Sequence, residues 1–151
     1  MYSDRFLLEQ QQAMKEGDKT RLSVLRLLRA AIKNREVEKG RPLEEAEVIQ
    51  AITSACKQRK DAIPQYLQGG RVDLAEKEEA ELKILEGFLP PQMSEEELAG
   101  KIEEAIVAAA AASLKDMGKV MAHLMPQVLG RMDGKIASEK VKEALLRIRQ
   151  E

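Results

Sequence analysis

Apolar positions along this chain recur at helical spacing and nowhere alternate as a half-buried strand would. Leu22, Leu25, Leu28 and Ile32 form one stripe, which Val24, Leu27 and Ala31 widen. That breadth predicts a largely buried helix, with Arg26, Ala30 and Lys33 on its wetter side. Asp18, following Gly17, supplies an N-cap, and Gly40 with Pro42 supplies a stop. Ahead of it, Ser3 or Asp4 opens a short helix to about Lys15. A third helix is expected from about Leu43 to Gln68, with Val48, Ile49, Ile52, Cys56, Ile63 and Leu67 turned inward. It would be roughly 35–40 Å long. Pro64 removes one ladder hydrogen bond and predicts a kink near Lys60. Gly69 and Gly70 end this helix. A fourth, acidic helix follows from about Asp73 to Gly87, with Leu74, Leu82 and Leu85 inward.

Leu89-Pro90-Pro91-Gln92-Met93 interrupts the pattern, because two adjacent prolines cannot continue a helix. It separates an N-terminal helical domain, residues 1–90, from a C-terminal one, residues 94–151. Ser94 and Glu97 have the spacing of a capping box. The fifth helix carries Leu98, Ile102 and Ile106, and the run Ala108–Ala112 reads as its close-packed end. Ser113 is expected to cap a sixth helix through Val128. Gly130, Asp133 and Gly134 form a loop, and Ser138 caps a last helix bearing Val141, Leu145 and Ile148. The expected fold class is all-α.

Composition agrees with this reading. Trp is absent and aromatic residues make up only 3%, where a sheet protein would use more. The formal net charge of −1 points to no partner, but its distribution does. Lys19–Arg41 holds eight basic residues against Glu36 and Glu38. Asp73–Glu104 holds eleven acidic residues against Lys77, Lys83 and Lys101. Either the two stretches are solvated or mutually neutralising helix faces, or the basic one meets an acidic polymer. A single cysteine, Cys56, forbids an intrachain disulfide and fits a reducing compartment. No apolar run is long enough to span a bilayer, and Met1–Arg5 has no hydrophobic signal region. The expectation is a cytoplasmic protein with no membrane association.

Catalytic chemistry finds little support. Gly130-Arg131-Met132-Asp133-Gly134-Lys135 resembles a phosphate loop but fails as one. It has three residues between its glycines instead of four, Ile136 in place of Ser or Thr, and a helix ahead of it instead of a strand. His123 is the only histidine, so a two-histidine metal site is excluded. Ser113 and Ser138 read as caps, and Cys56 as a packed, inert thiol. No cofactor and no metal is expected. Met117, Met121 and Met125 recur every four residues, as core filling or as an adaptable interface. Lys57-Gln58-Arg59-Lys60 is a basic cluster that, with Arg26, Arg29 and Lys33, would make a phosphate-facing patch. No aromatic residue interleaves with it, so nucleic acid would be held by backbone and shape.

Several blocks then carry a resemblance. They are Arg21-Leu22 through Leu25-Arg26 to Ala30-Ala31-Ile32-Lys33-Asn34, Lys57-Gln58-Arg59-Lys60-Asp61, Gly70-Arg71 with Asp73-Leu74-Ala75, and Glu86 with Leu89-Pro90. Lys115-Asp116-Met117-Gly118-Lys119-Val120-Met121 and Gly130-Arg131 with Asp133-Gly134-Lys135 continue the series. Together they resemble the GatB/YqeY family along essentially the whole chain; Pro64 departs from it. The resemblance implies an N-terminal helical domain joined to a three-helix tail domain. That tail is similar to the tail of the B subunit of the tRNA-dependent amidotransferase, where it grips tRNA while other domains do the chemistry. This chain has no room for those catalytic domains. The resemblance therefore implies a tRNA-binding or amidotransferase-associated module, and no amidase of its own.

Within the tail, Lys115, Lys119, Arg131 and Lys135 would surround Gly118, with Gly134 making a tight positive-φ turn, as a phosphate cradle. The alternative is that Gly118 serves helix packing and the cations pair with Asp116, Asp133 or Glu139. Two other functional classes stay open at this point. One is a protein–protein adaptor using the acidic fourth helix or the methionine stripe. The other is a component of a glutamine-dependent carbon–nitrogen ligase that acts only with partner subunits.

Overall fold

The computed structural model describes residues 2–150, the side chains of 149 and 150 apart. Seven α-helices follow one another: α1 (Tyr2–Glu16), α2 (Lys19–Lys39), α3 (Glu45–Gln68), α4 (Val72–Glu86), α5 (Glu95–Ala108), α6 (Met117–Val128) and α7 (Gly134–Gln150), with a 3₁₀ turn at Leu114–Asp116 ahead of α6. No strand occurs among the described residues, and the all-α class stands. The chain divides into two compact units between Leu89 and Pro90.

In the first unit α3 packs most extensively on α4, and α2 lies against α1, α3 and α4. Its core joins Phe6 of α1, Val24, Leu25 and Leu28 of α2, Val48, Ile52 and Cys56 of α3, and Leu85 and Phe88 of the fourth helix and the turn after it. The α2 stripe is narrower than its pattern suggested. Leu27 is 55% exposed and Ala31 is also exposed, because the neighbours of α2 all approach the face that carries Val24, Leu25 and Leu28. Leu67, expected inward, is 51% exposed in the last turn of α3. Helix α3 runs through Pro64 as one element.

Local chemistry sets the helix ends. The Asp18 carboxylate accepts the Arg21 N–H at 3.1 Å, which caps α2. At the start of α3, Glu47 gathers three donors. Its carboxylate accepts the Glu44 backbone N–H at 3.0 Å, the Arg41 guanidinium at 2.7 Å, and the Lys39 ammonium. The Arg41 hydrogen bond, then those of Lys39 and Glu44, hold the Glu47 carboxyl down at about 2. Burial, and secondarily Glu86, pushes the Cys56 thiol up to about 11, so it stays a protonated core side chain.

The second unit is built on three matching i, i+4 stripes. Leu98, Ile102 and Ala105 of α5 meet Val120, Leu124 and Val128 of α6 and Ala137, Val141 and Leu145 of α7, with Met93 closing one end. Met117, Met121 and Met125 pack partly buried against this cluster, so the methionine stripe fills core.

Two expectations fail here for local reasons. The alanine run is not the close-packed end of a helix: α5 stops at Ala108. Ala110 takes φ +50°, its N–H reaches the Val107 carbonyl at 3.1 Å, and the Ala111 N–H reaches the Ile106 carbonyl at 3.0 Å. This bond pair is a Schellman stop. Asp116 secures it by accepting the Ala112 and Ser113 N–H groups at 2.8 and 3.3 Å, which lowers the Asp116 pKa. The start of α7 is also earlier than Ser138, which lies four residues inside the helix. Asp133 caps it instead: its carboxylate accepts the Lys135 N–H at 2.9 Å and its carbonyl the Ala137 N–H at 3.0 Å.

Helices α1 and α3 end with the same bond pattern, but with Gly17 (φ +71°) and Gly70 (φ +72°) where α5 has Ala110. A Cβ in that left-handed conformation is strained. Ala110→Gly is therefore expected to stabilise the protein by about 0.5–1 kcal/mol. A rise in the thermal midpoint, followed by far-UV circular dichroism, is the check. A fall would mean that the Ala110 methyl contributes more than its backbone costs.

Candidate nucleic-acid interface

The expected cations separate into two kinds. On α2, Arg26, Arg29 and Lys33 stand at i, i+3 and i+7, share one face, and are all exposed. The only carboxylate within a turn of them on that helix is Glu36, and it is occupied by the Leu43 N–H at 3.0 Å. The Arg29 guanidinium is steadied by the Gln10 amide oxygen at 2.5 Å. On α3, Lys57 and Lys60 are exposed and form no ion pair among the described residues.

Arg59 does not belong with them. Its side chain is only 13% exposed and its Nε lies 3.6 Å from the carboxylate of Glu81, itself 8% exposed. Its Nη1 donates to the Ala55 carbonyl at 3.1 Å. The Nε is buried without a hydrogen-bond partner. Arg59 therefore serves the interior of the first unit, and only its neighbours face solvent. One residue along a helix turns a side chain by about 100°, which is enough to separate Arg59 from Lys60.

The second unit makes a similar division. Lys115 and Lys119 are exposed beside Gly118, and Lys135 is exposed in the first turn of α7. Nothing lies within 4 Å of where a Cβ on Gly118 would stand, so this glycine packs against no neighbouring helix. Arg131 is committed elsewhere. It donates to both carboxylate oxygens of Glu97 at 3.0 and 3.1 Å, and from Nε to the Pro91 carbonyl at 2.8 Å. The Met93 N–H reaches the Arg131 carbonyl at 2.8 Å, and the Gln92 amide reaches the Gly130 carbonyl at 3.1 Å. Ser94 caps α5 through the Glu97 N–H, but the Glu97 carboxylate has left the capping box for the charge-assisted pair with Arg131, whose Nη2 donates to both its oxygens. Gly134 makes no positive-φ turn; Gly130 does, at φ +74°.

Sequence reasoning missed a cleft of about 460 Å³ in the first unit. It gathers the start of α1, the second half of α2, the α2–α3 connection and the start of α3. Among its lining residues only Arg29 and Lys33 were expected as site residues, since no spacing rule links three separate elements. No group of three or more His, Cys, Asp or Glu side chains suited to a metal occurs among the described residues, and His123 is exposed on α6.

Residues 3–145 match the family described as "Yqey-like protein". The chain belongs to the YqeY-like family. Similar proteins are fungal and carry the name "Altered inheritance of mitochondria protein 41, mitochondrial". The Kluyveromyces lactis protein is 30% identical over 140 residues, which is 91% of this chain and 72% of that one. The Lachancea thermotolerans protein is 36% identical over 93 residues, 60% of this chain and 50% of that one. The Vanderwaltozyma polyspora protein is 35% identical over 96 residues, 62% of this chain and 52% of that one. This YqeY-like chain thus spans about half the length of the Lachancea and Vanderwaltozyma relatives it matches. These names overturn the cytoplasmic location expected from the lone cysteine and from the first residues: similar proteins are named as mitochondrial. No helix among the described residues is long and apolar enough to cross a membrane.

Proposed function

We propose that this YqeY-domain chain is a non-catalytic module that binds tRNA, in association with the tRNA-amidotransferase or aminoacyl-tRNA machinery. The observation that carries the reading is the α2 face. Arg26, Arg29 and Lys33 stand together, exposed, and form no salt bridge among the described residues. Lys57 and Lys60, and in the second unit Lys115, Lys119 and Lys135, extend the same chemistry. Such cations hold sugar–phosphate by counterion release and read no sequence. The methionine stripe is spent on the core, so it does not favour an adaptor.

Binding of unfractionated tRNA, measured by anisotropy over a series of salt concentrations, tests the reading. The affinity should fall steeply with salt. Lys119→Ala and Lys33→Ala should each lower the salt slope by about one unit with the melting temperature unchanged. Arg131→Ala should leave the salt slope intact and lower the melting temperature, because it breaks the Glu97 pair and removes no phosphate contact. Affinity that ignores salt, or turnover of glutamine or ATP that persists through further purification, would overturn the proposal.

A further inference from the structure

We propose that the cleft at the start of α1 binds a nucleoside phosphate, with its base on an apolar floor and its phosphate on Arg29 and Lys33. This goes beyond the RNA reading, which concerns sugar–phosphate held on open helix faces. The cleft has about 460 Å³, within the ~300–1,000 Å³ typical of ligand-sized sites. Its floor is made by Phe6, Ile32, Leu43 and Val48. Tyr2 extends that floor as an aromatic wall: its ring lies 5.6 Å from that of Phe6, tilted by 32°. Tyr2 is held there by its hydroxyl, which donates to the Phe88 carbonyl at 3.0 Å. A flat, weakly polar body is what such a surface accepts.

The rim chooses between ligands with that body. Arg29 and Lys33, one turn apart on α2, both line the cleft. Gln10 fixes the first of them, and the second forms no ion pair among the described residues. Two cations at this spacing suit a phosphate. Glu45, at the start of α3, lines the same cleft, and a carboxylate there accepts from an exocyclic amine. Glu36 is taken up by the Leu43 N–H and holds the connection that carries the floor. Apolar floor, paired cations and an acceptor together describe an amino-bearing nucleotide better than a fatty acid or a bare anion. The nucleotide could arrive free or as an unpaired nucleotide of an RNA.

Two-dimensional amide spectra of the full chain, titrated with adenosine 5′-monophosphate, test this. Shifts are expected at Ser3, Ile32, Leu43 and Val48, with a Kd on the order of 1 mM or tighter. Arg29→Gln combined with Lys33→Gln should weaken the monophosphate about tenfold or more and leave the weaker adenosine response unchanged. Both side chains are exposed, so the helical spectrum should persist. Lys77→Gln with Lys83→Gln on α4 should change nothing. An RNA hairpin with one unpaired 3′ adenosine, compared with its blunt counterpart, distinguishes the sources. Displacement of the monophosphate only by the overhang identifies RNA; no displacement identifies the free nucleotide; either supports the cleft. The proposal is overturned if inorganic phosphate produces the same shifts with equal affinity. It is overturned equally by absent shifts, or by shifts indifferent to the double variant. Failure of tRNA binding with these shifts intact would refute only the RNA reading.

Discussion

Arg59→Met is expected to lower the stability of the first unit by about 3 kcal/mol, because it strands the Glu81 carboxylate in the interior. The two side chains are 13% and 8% exposed and 3.6 Å apart, so neither charge has bulk water to fall back on. The pair is not an optimal one. Arg59 Nε makes no hydrogen bond, and the attraction recovers only part of what burying both ions costs. The double variant Arg59→Met/Glu81→Leu should therefore regain most of the loss. Urea unfolding followed by tyrosine emission measures the cycle. If the double variant is as unstable as Arg59→Met, removing the Glu81 charge recovers nothing and a stranded carboxylate is not the cause of the loss.

Leu124→Ala is expected to cost about 3 kcal/mol in the second unit. Leu124 is fully buried at the centre of the α6 stripe, in a cluster that also holds Leu98, Ile102, Val141 and Leu145. Packed side chains relax only partly into the space a leucine vacates, so a cavity adds to the lost transfer energy. Hydrogen exchange at the amides of α5, α6 and α7 reads the loss directly, as a fall in protection of about two orders of magnitude. A change of less than tenfold would mean that the three helices close over the gap.

Features decided within one turn of chain were legible in the sequence. Asp18 and Ser94 cap where their spacing says they should, and the stripes of α5 and α7 name most of their own core. What could not be read was any competition between two local signals, or between a local and a distant one. Ser138 and Asp133 are both good caps, and only the first i, i+4 bond of α7 shows which one acts. Five alanines favour a helix, yet Asp116, several residues on, draws the Ala112 and Ser113 amides away from it. Leu27 counts towards a stripe by period, but no helix arrives on its side of α2. The candidate site was legible to the same extent. Arg26, Arg29, Lys33, Lys57 and Lys60 were recognisable as cations and do lie at the surface. Arg59 and Arg131 look the same in sequence, and only the positions of Glu81 and Glu97 show that they are committed internally. The cleft beside α1 was invisible because its floor comes from segments that share no periodicity.

The aromatic cluster of Tyr2, Phe6 and Phe88 has a practical corollary for optical work on this molecule. Every Phe and Tyr of the chain, Tyr66 included, lies before Pro90, and there is no Trp. The core of the second unit is assembled from branched aliphatic, alanine and methionine side chains, and residues 90–151 hold no Phe, Tyr or Trp. It has no chromophore absorbing near 280 nm and no intrinsic fluorophore. Near-ultraviolet dichroism and tyrosine emission thus report on one half of the protein and are blind to the other. A trace that looks like a single cooperative transition in those signals carries no information about α5, α6 and α7, whose melting registers only through the peptide bond itself.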